Sequence, residues 1–172
     1  MKFLAAVITL MLLPRAATAA DVCRDAPNGK ALDFWVGDWT VVAVAGGAPQ
    51  GISHIESVLA GCAIIENWYE PGGDGKSLFS FDARSGLWNQ TWVTGDTSRP
   101  GGLKNKTQIA AGPDGAVRFQ GTIFVRPGVT ILDRTTLIPL KDGRVRQTIE
   151  VSRDGGTSWS ASFDAYYVRK SV

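Results

Sequence analysis

The chain has 172 residues, with 18 Lys and Arg against 16 Asp and Glu and a single histidine. That length suits one domain with a sizeable core, and no stretch concentrates basic residues into the positive field that collects nucleic acid or anionic lipid. One histidine and two cysteines also leave no His/Cys/carboxylate cluster at zinc-ligand spacing.

Residues 1–20 read as a secretory signal peptide. Lys2 supplies the positive end, Phe3 to Leu13 the apolar run, and Ala17-Thr18-Ala19 the small-x-small site. The run is too short to cross a bilayer, which takes about 20 apolar residues. Pro14 and Arg15 break the pattern directly after it, against the alternative of a buried N-terminal helix. Cleavage takes Lys2 and Arg15 away, so the mature domain, residues 21–172, balances 16 basic against 16 acidic residues. No later run could insert into a membrane, and the expected location is exported, either periplasmic or extracellular. In an oxidising compartment Cys23 and Cys62 read as a disulfide that ties the N-terminal tail to a strand. Val22 stands before Cys23, where a lipid-anchored bacterial cysteine normally follows a small residue.

A helical turn is predicted near Lys30 to Trp35, placed to cap one end of the domain. After it no helical period persists. Short β-branched and aromatic runs alternate with turn clusters at 46–49, 60–61, 71–75, 84–86, 100–102, 113–115, 126–128, 142–143 and 154–156. These turns separate about ten strands between Thr40 and Arg169, so the fold class is all-β. Sequential strands joined by tight hairpins form a single antiparallel meander, and closing it into a barrel removes both unpaired edges. A two-sheet sandwich is the competing arrangement.

Period-2 alternation sorts the strands by face. Glu66 shares a face with Ile64 and Trp68, and Gln90 with Trp88 and Trp92. Gln147 falls with Val145, Ile149 and Val151. His54 and Glu56 fall with Ile52 and Val58, and Arg134 precedes Thr136 and Ile138. An isolated polar group in a dry core costs a few kcal/mol without a partner. His54, Glu56, Glu66, Gln90, Arg134 and Gln147 therefore pair with one another or line a wet cavity, which Trp68, Trp88 and Trp92 would wall. The alternative is an internal network, Arg134 with Glu56 or Glu66, inside a filled barrel.

Phe34-Trp35-Val36-Gly37-Asp38-Trp39 resembles the Gly-x-Trp entry to the first strand of lipocalin-like (calycin) barrels. Ile55-Glu56, Gly61-Cys62, Glu66-Asn67-Trp68, Phe81-Asp82, Gly86 to Trp92, Asp142 to Gln147, Asp154-Gly155-Gly156 and Phe163-Asp164 with Tyr167 follow in order. Together they resemble an uncharacterised family of exported bacterial proteins near the nitrobindin-like barrels. The resemblance implies a ten-stranded barrel and no settled activity. Nitrobindins hold haem through a histidine on the last strand; here Phe163 to Tyr167 contains none, which argues against haem, and no cofactor is expected. Ser152 to Trp159 resembles the Asp-box hairpin of propeller proteins, a structural element.

Three functions remain open. The first is a binding barrel for a small, partly apolar molecule, with Glu56, Glu66, Gln90, Arg134, Gln147 and His54 as polar anchors. The second is a cofactor-independent isomerase, cyclase or hydrolase using His54 with Glu56 or Glu66. The third is a filled structural or partner-binding domain. No Gly-x-Ser-x-Gly elbow is present, and the residues favour binding over catalysis.

Overall fold

A computed structural model describes residues 19–112 and 114–170. The signal peptide expected over 1–20 lies almost wholly outside them, as does Pro113 of one turn. A short helix, α1 (Ala19–Arg24), precedes a 3-10 turn at Asp33–Trp35. Ten strands follow: β1 (Gly37–Ala43), β2 (Pro49–Val58), β3 (Ala63–Tyr69), β4 (Gly75–Asp82), β5 (Leu87–Thr94), β6 (Leu103–Ala111), β7 (Val117–Arg126), β8 (Val129–Pro139), β9 (Val145–Ser152) and β10 (Ser160–Arg169). Each pairs antiparallel with the next, and β1 pairs with β10 to close the barrel. The sandwich alternative is thereby excluded, and the predicted turns lie between these strands.

The two ends of the barrel differ. At the end where β1 begins, the segment before it forms a plug. Leu32 and Trp35 are fully buried. Trp35 meets Phe79 and Tyr167 edge-on, with ring centroids 5.3 and 5.7 Å apart. Asn28 donates to the Gly86 carbonyl at 3.0 Å, and its own carbonyl accepts the Trp88 indole N–H at 2.9 Å. A Cys23–Cys62 disulfide, Cα–Cα 5.2 Å, fastens this segment to the 3-10 turn Leu59–Gly61 and the start of β3. Aromatic rings thus fill the closed half, and the space the strands leave lies toward the opposite end.

The Asp-box-like hairpin between β9 and β10 is held by its own side chains. Asp154 accepts from Ser152 Oγ at 2.8 Å and from the Ser158 amide at 2.9 Å, and Trp159 Nε1 donates to the Gly156 carbonyl at 3.0 Å. The Ser158 hydroxyl, which donates to Asp154 Oδ2 at 2.6 Å, then the Ser158 amide and the Ser152 hydroxyl, lower the Asp154 pKa to about 2. The turn is self-sufficient.

Candidate functional site

Inward positions on seven strands surround a cavity of about 160 Å³. Trp68, Trp92, Ile149 and Phe163 supply its apolar walls; Glu66, Ser77, Gln90, Lys106, Thr135, Gln147 and Tyr167 supply polar groups; Glu70 and Lys104 complete the lining. Trp68 meets Phe163 edge-on at 6.1 Å. Both indoles are seated where the neighbouring strand has no side chain. A Cβ on Gly51 would strike the Trp68 ring, and one on Gly75 would strike the Trp92 ring. Glycine in a strand here permits close approach of an aromatic.

The polar groups form two clusters. In the first, Glu66, 3% exposed, accepts from Ser77 Oγ at 2.8 Å and from Ser53 Oγ at 3.1 Å. Tyr167 Oη lies 3.1 Å from Glu66 Oε1 and 2.5 Å from Gln147 Oε1. A phenol has one proton, so when Glu66 is protonated it donates to Tyr167, which donates to Gln147. Burial pushes the Glu66 carboxyl above its ordinary range, against the hydrogen bonds from Ser77, Tyr167 and Ser53. Burial, with Glu66 adding, holds the Tyr167 phenol protonated well past its usual range. Gln90 Nε2 donates to Ser77 at 3.5 Å, while its buried Oε1 has no protein partner among the described residues.

In the second cluster, the fully buried Asp133 lies between two lysines: Lys104 Nζ is 2.8 Å from Oδ2, and Lys106 pairs with Oδ1. Lys106 also donates to Thr135 Oγ1 at 2.5 Å. The lysines stand on β6 and their partners on β8, so both side chains cross β7. Gly121 pairs with Asp133 in the β7–β8 register, and a Cβ on it would strike the Asn105–Lys106 backbone, so its lack of a side chain lets β6 and β7 approach closely here. Burial lowers the Lys106 pKa to about 8, with Asp133 opposing and Lys104 adding to the shift.

Several sequence expectations hold in placement. Glu66, Trp68, Gln90, Trp92 and Gln147 face inward and line the cavity. Trp88 also faces inward but belongs to the closed end, packed on Phe81 at 5.4 Å. Three expectations are corrected. His54 and Glu56 lie on the outer surface, because Ser53 and Ile55 take the inward positions of β2 and Ser53 is held there by Glu66. His54 Nδ1 contacts Asp38 Oδ1 at 2.7 Å in solvent. Arg134 also faces outward, bonded to Glu150 Oε2 at 3.0 Å and stacked 4.0 Å over Trp159, since Asp133 and Thr135 take the interior of β8. The His54–carboxylate pair needed for the enzymatic reading is therefore not assembled at the cavity, and Arg134 joins no internal network with Glu56 or Glu66.

Ser77, Lys104, Lys106, Asp133, Thr135, Phe163 and Tyr167 escaped sequence reasoning. The β6 pattern is inverted: Leu103 and Ile109 are exposed while Lys106 and Gln108 are buried. The available signal was Gly121, a glycine inside a strand run. Among the described residues no group of three or more His, Cys, Asp or Glu could hold a metal ion, and no helix is long and apolar enough to cross a membrane.

No protein-family model matches the chain, and no curated protein matches it in sequence.

Proposed function

We propose that this protein is an exported barrel that binds a small, partly apolar molecule in the cavity at its unplugged end. The observation that carries this reading is Gln90 Oε1, a buried acceptor without a protein partner, set in the polar lining beside aromatic walls. A buried polar group left unmatched costs about 1–3 kcal/mol, and a ligand donor would relieve that cost. The cavity volume is close to that of an engineered cavity of about 150 Å³ that accepts benzene. A single-ring compound therefore suits it better than a large cofactor. Export is supported by the signal-like N terminus and by the disulfide.

Tryptophan fluorescence against a panel of single-ring and short aliphatic compounds tests the binding reading, because Trp68 and Trp92 form the walls. A saturable change is expected. Gln90→Leu should weaken binding of hydrogen-bond-donating members by about tenfold and spare members without a donor. A flat response across the panel, with native mass spectrometry of material from its own cells showing bare protein, would remove this reading. N-terminal sequencing of the secreted or periplasmic fraction tests export, with a new N terminus near residue 20 expected.

A further inference from the structure

Two ammonium groups on the cavity wall, Lys104 and Lys106, share a single carboxylate partner, the buried Asp133. Asp133 accepts from Lys104 at 2.8 Å and pairs with Lys106 through its other oxygen. An ammonium has three N–H donors. Lys106 has two protein partners, Asp133 and Thr135, and Lys104 has one, Asp133; their other donors have no protein acceptor among the described residues. Lys106 is 4% exposed, so little water reaches its remaining donor. Glu70, exposed at the mouth, makes no ion pair with either lysine among the described residues. Gln90 stands directly across from Lys106 in the β5–β6 register, and its unpartnered Oε1 is left for a hydroxyl or N–H on the ligand's ring. Trp92 stands beside Lys104 in the same register, and Trp68 and Phe163 complete the apolar wall, with room for about one ring.

We propose that the cavity selects a small anion, a single-ring aromatic monocarboxylate, with its acid group on Lys104 and Lys106 and its ring between Trp68, Trp92 and Phe163. This rests on the ligand-binding reading above and adds the charge and class of the ligand. A carboxylate would supply the acceptor missing from the lysine pair, and charge-assisted hydrogen bonds are the stronger kind. A cation would meet two ammoniums, and a neutral amide would match only part of the donor set. The other ionisable groups facing Lys106 are Glu66, Glu70, Lys104, Asp133 and Tyr167. Burial moves Glu66 toward its neutral acid, which lessens its repulsion of an anion.

Calorimetry with benzoate, benzamide and benzylamine, three probes of similar shape and different charge, tests the inference on the folded disulfide-bonded protein. Benzoate should bind at least about tenfold more tightly than benzamide, and benzylamine more weakly than either. Lys104→Gln, a change at the less buried lysine, should bring benzoate and benzamide close to equal affinity, with an unchanged circular dichroism spectrum. Benzoate affinity should fall as pH rises through about 8, where Lys106 loses its proton, while benzamide affinity stays level. Equal binding of acid and amide, or tighter binding of the amine, overturns the anion inference and leaves the ligand-binding reading standing. If none of the three probes nor any larger apolar compound binds, both readings fall.

Discussion

Glu66 has three hydroxyl neighbours and no cation bonded to it, which decides how its charge acts on stability. Its folded pKa lies above the ordinary value of 4.5 because of burial. The folded chain therefore holds this proton to higher pH than the unfolded chain. The stabilising contribution is complete below the unfolded pKa and is lost as pH rises through the folded one. Glu66→Gln keeps the shape and removes the titration. Its melting temperature should match the parent near pH 4 and exceed it increasingly toward pH 8. For a domain of this size each ~1 kcal/mol appears as roughly 2–4 °C. A difference that stays constant with pH would show that Glu66 titrates alike in the folded and unfolded chain. Such carboxyl behaviour was legible only in part. The alternation of Ile64, Glu66 and Trp68 places Glu66 inside, but its partners come from β2, β4 and β10, and no local pattern reveals which strands meet across a barrel.

At the scale of strands, the two strands misread from sequence share a cause. On β2 the inward Ser53 is small and polar, and on β8 the inward Asp133 is charged; each is stabilised by a partner distant in sequence. Alternation reports polarity, and polarity follows burial only where the interior is apolar. Strand β6 is the extreme case, since its lysines enter the barrel and its Leu103 faces out. The close approach of β6 to β7 beside Lys106 depends on Gly121, where an added Cβ would collide with the Asn105 carbonyl. Gly121→Ala should push β6 from β7 and cost about 1–3 kcal/mol, the usual range for overpacking, read from urea denaturation. It should also pull Lys106 away from Asp133 and raise the Lys106 pKa from about 8 toward its ordinary value as the site hydrates. An unperturbed urea midpoint would mean that the two strands are not in close contact at this position.

The whole molecule was the most legible level. Turn residues recur between every pair of strands, and hairpins follow from them, so strand number and order needed no knowledge of distant partners. The N-terminal plug was legible too, through Trp35 and the cysteine pair. Its disulfide spans 39 residues of sequence and should contribute about 2–4 kcal/mol in the chain-entropy account. Replacing both cysteines with alanine should lower the unfolding free energy, read from urea denaturation, by that amount. Because the bond lies at the plugged end and the cavity toward the other, ligand affinity in the folded variant should change little. Equal losses in affinity and stability would instead tie the plug to the site.

Nine of the ten strand pairings join neighbours along the chain, while the tenth brings Trp39 beside Arg169. Hairpins can zip as soon as their two arms exist, but the cylinder stays an open ribbon until its last strand arrives. A nascent copy halted before β10 would display two raw edges, at β1 and at β9, each able to recruit a stranger. Synthesis of β10, Ser160–Arg169, is thus the step that turns a sticky sheet into a self-contained vessel.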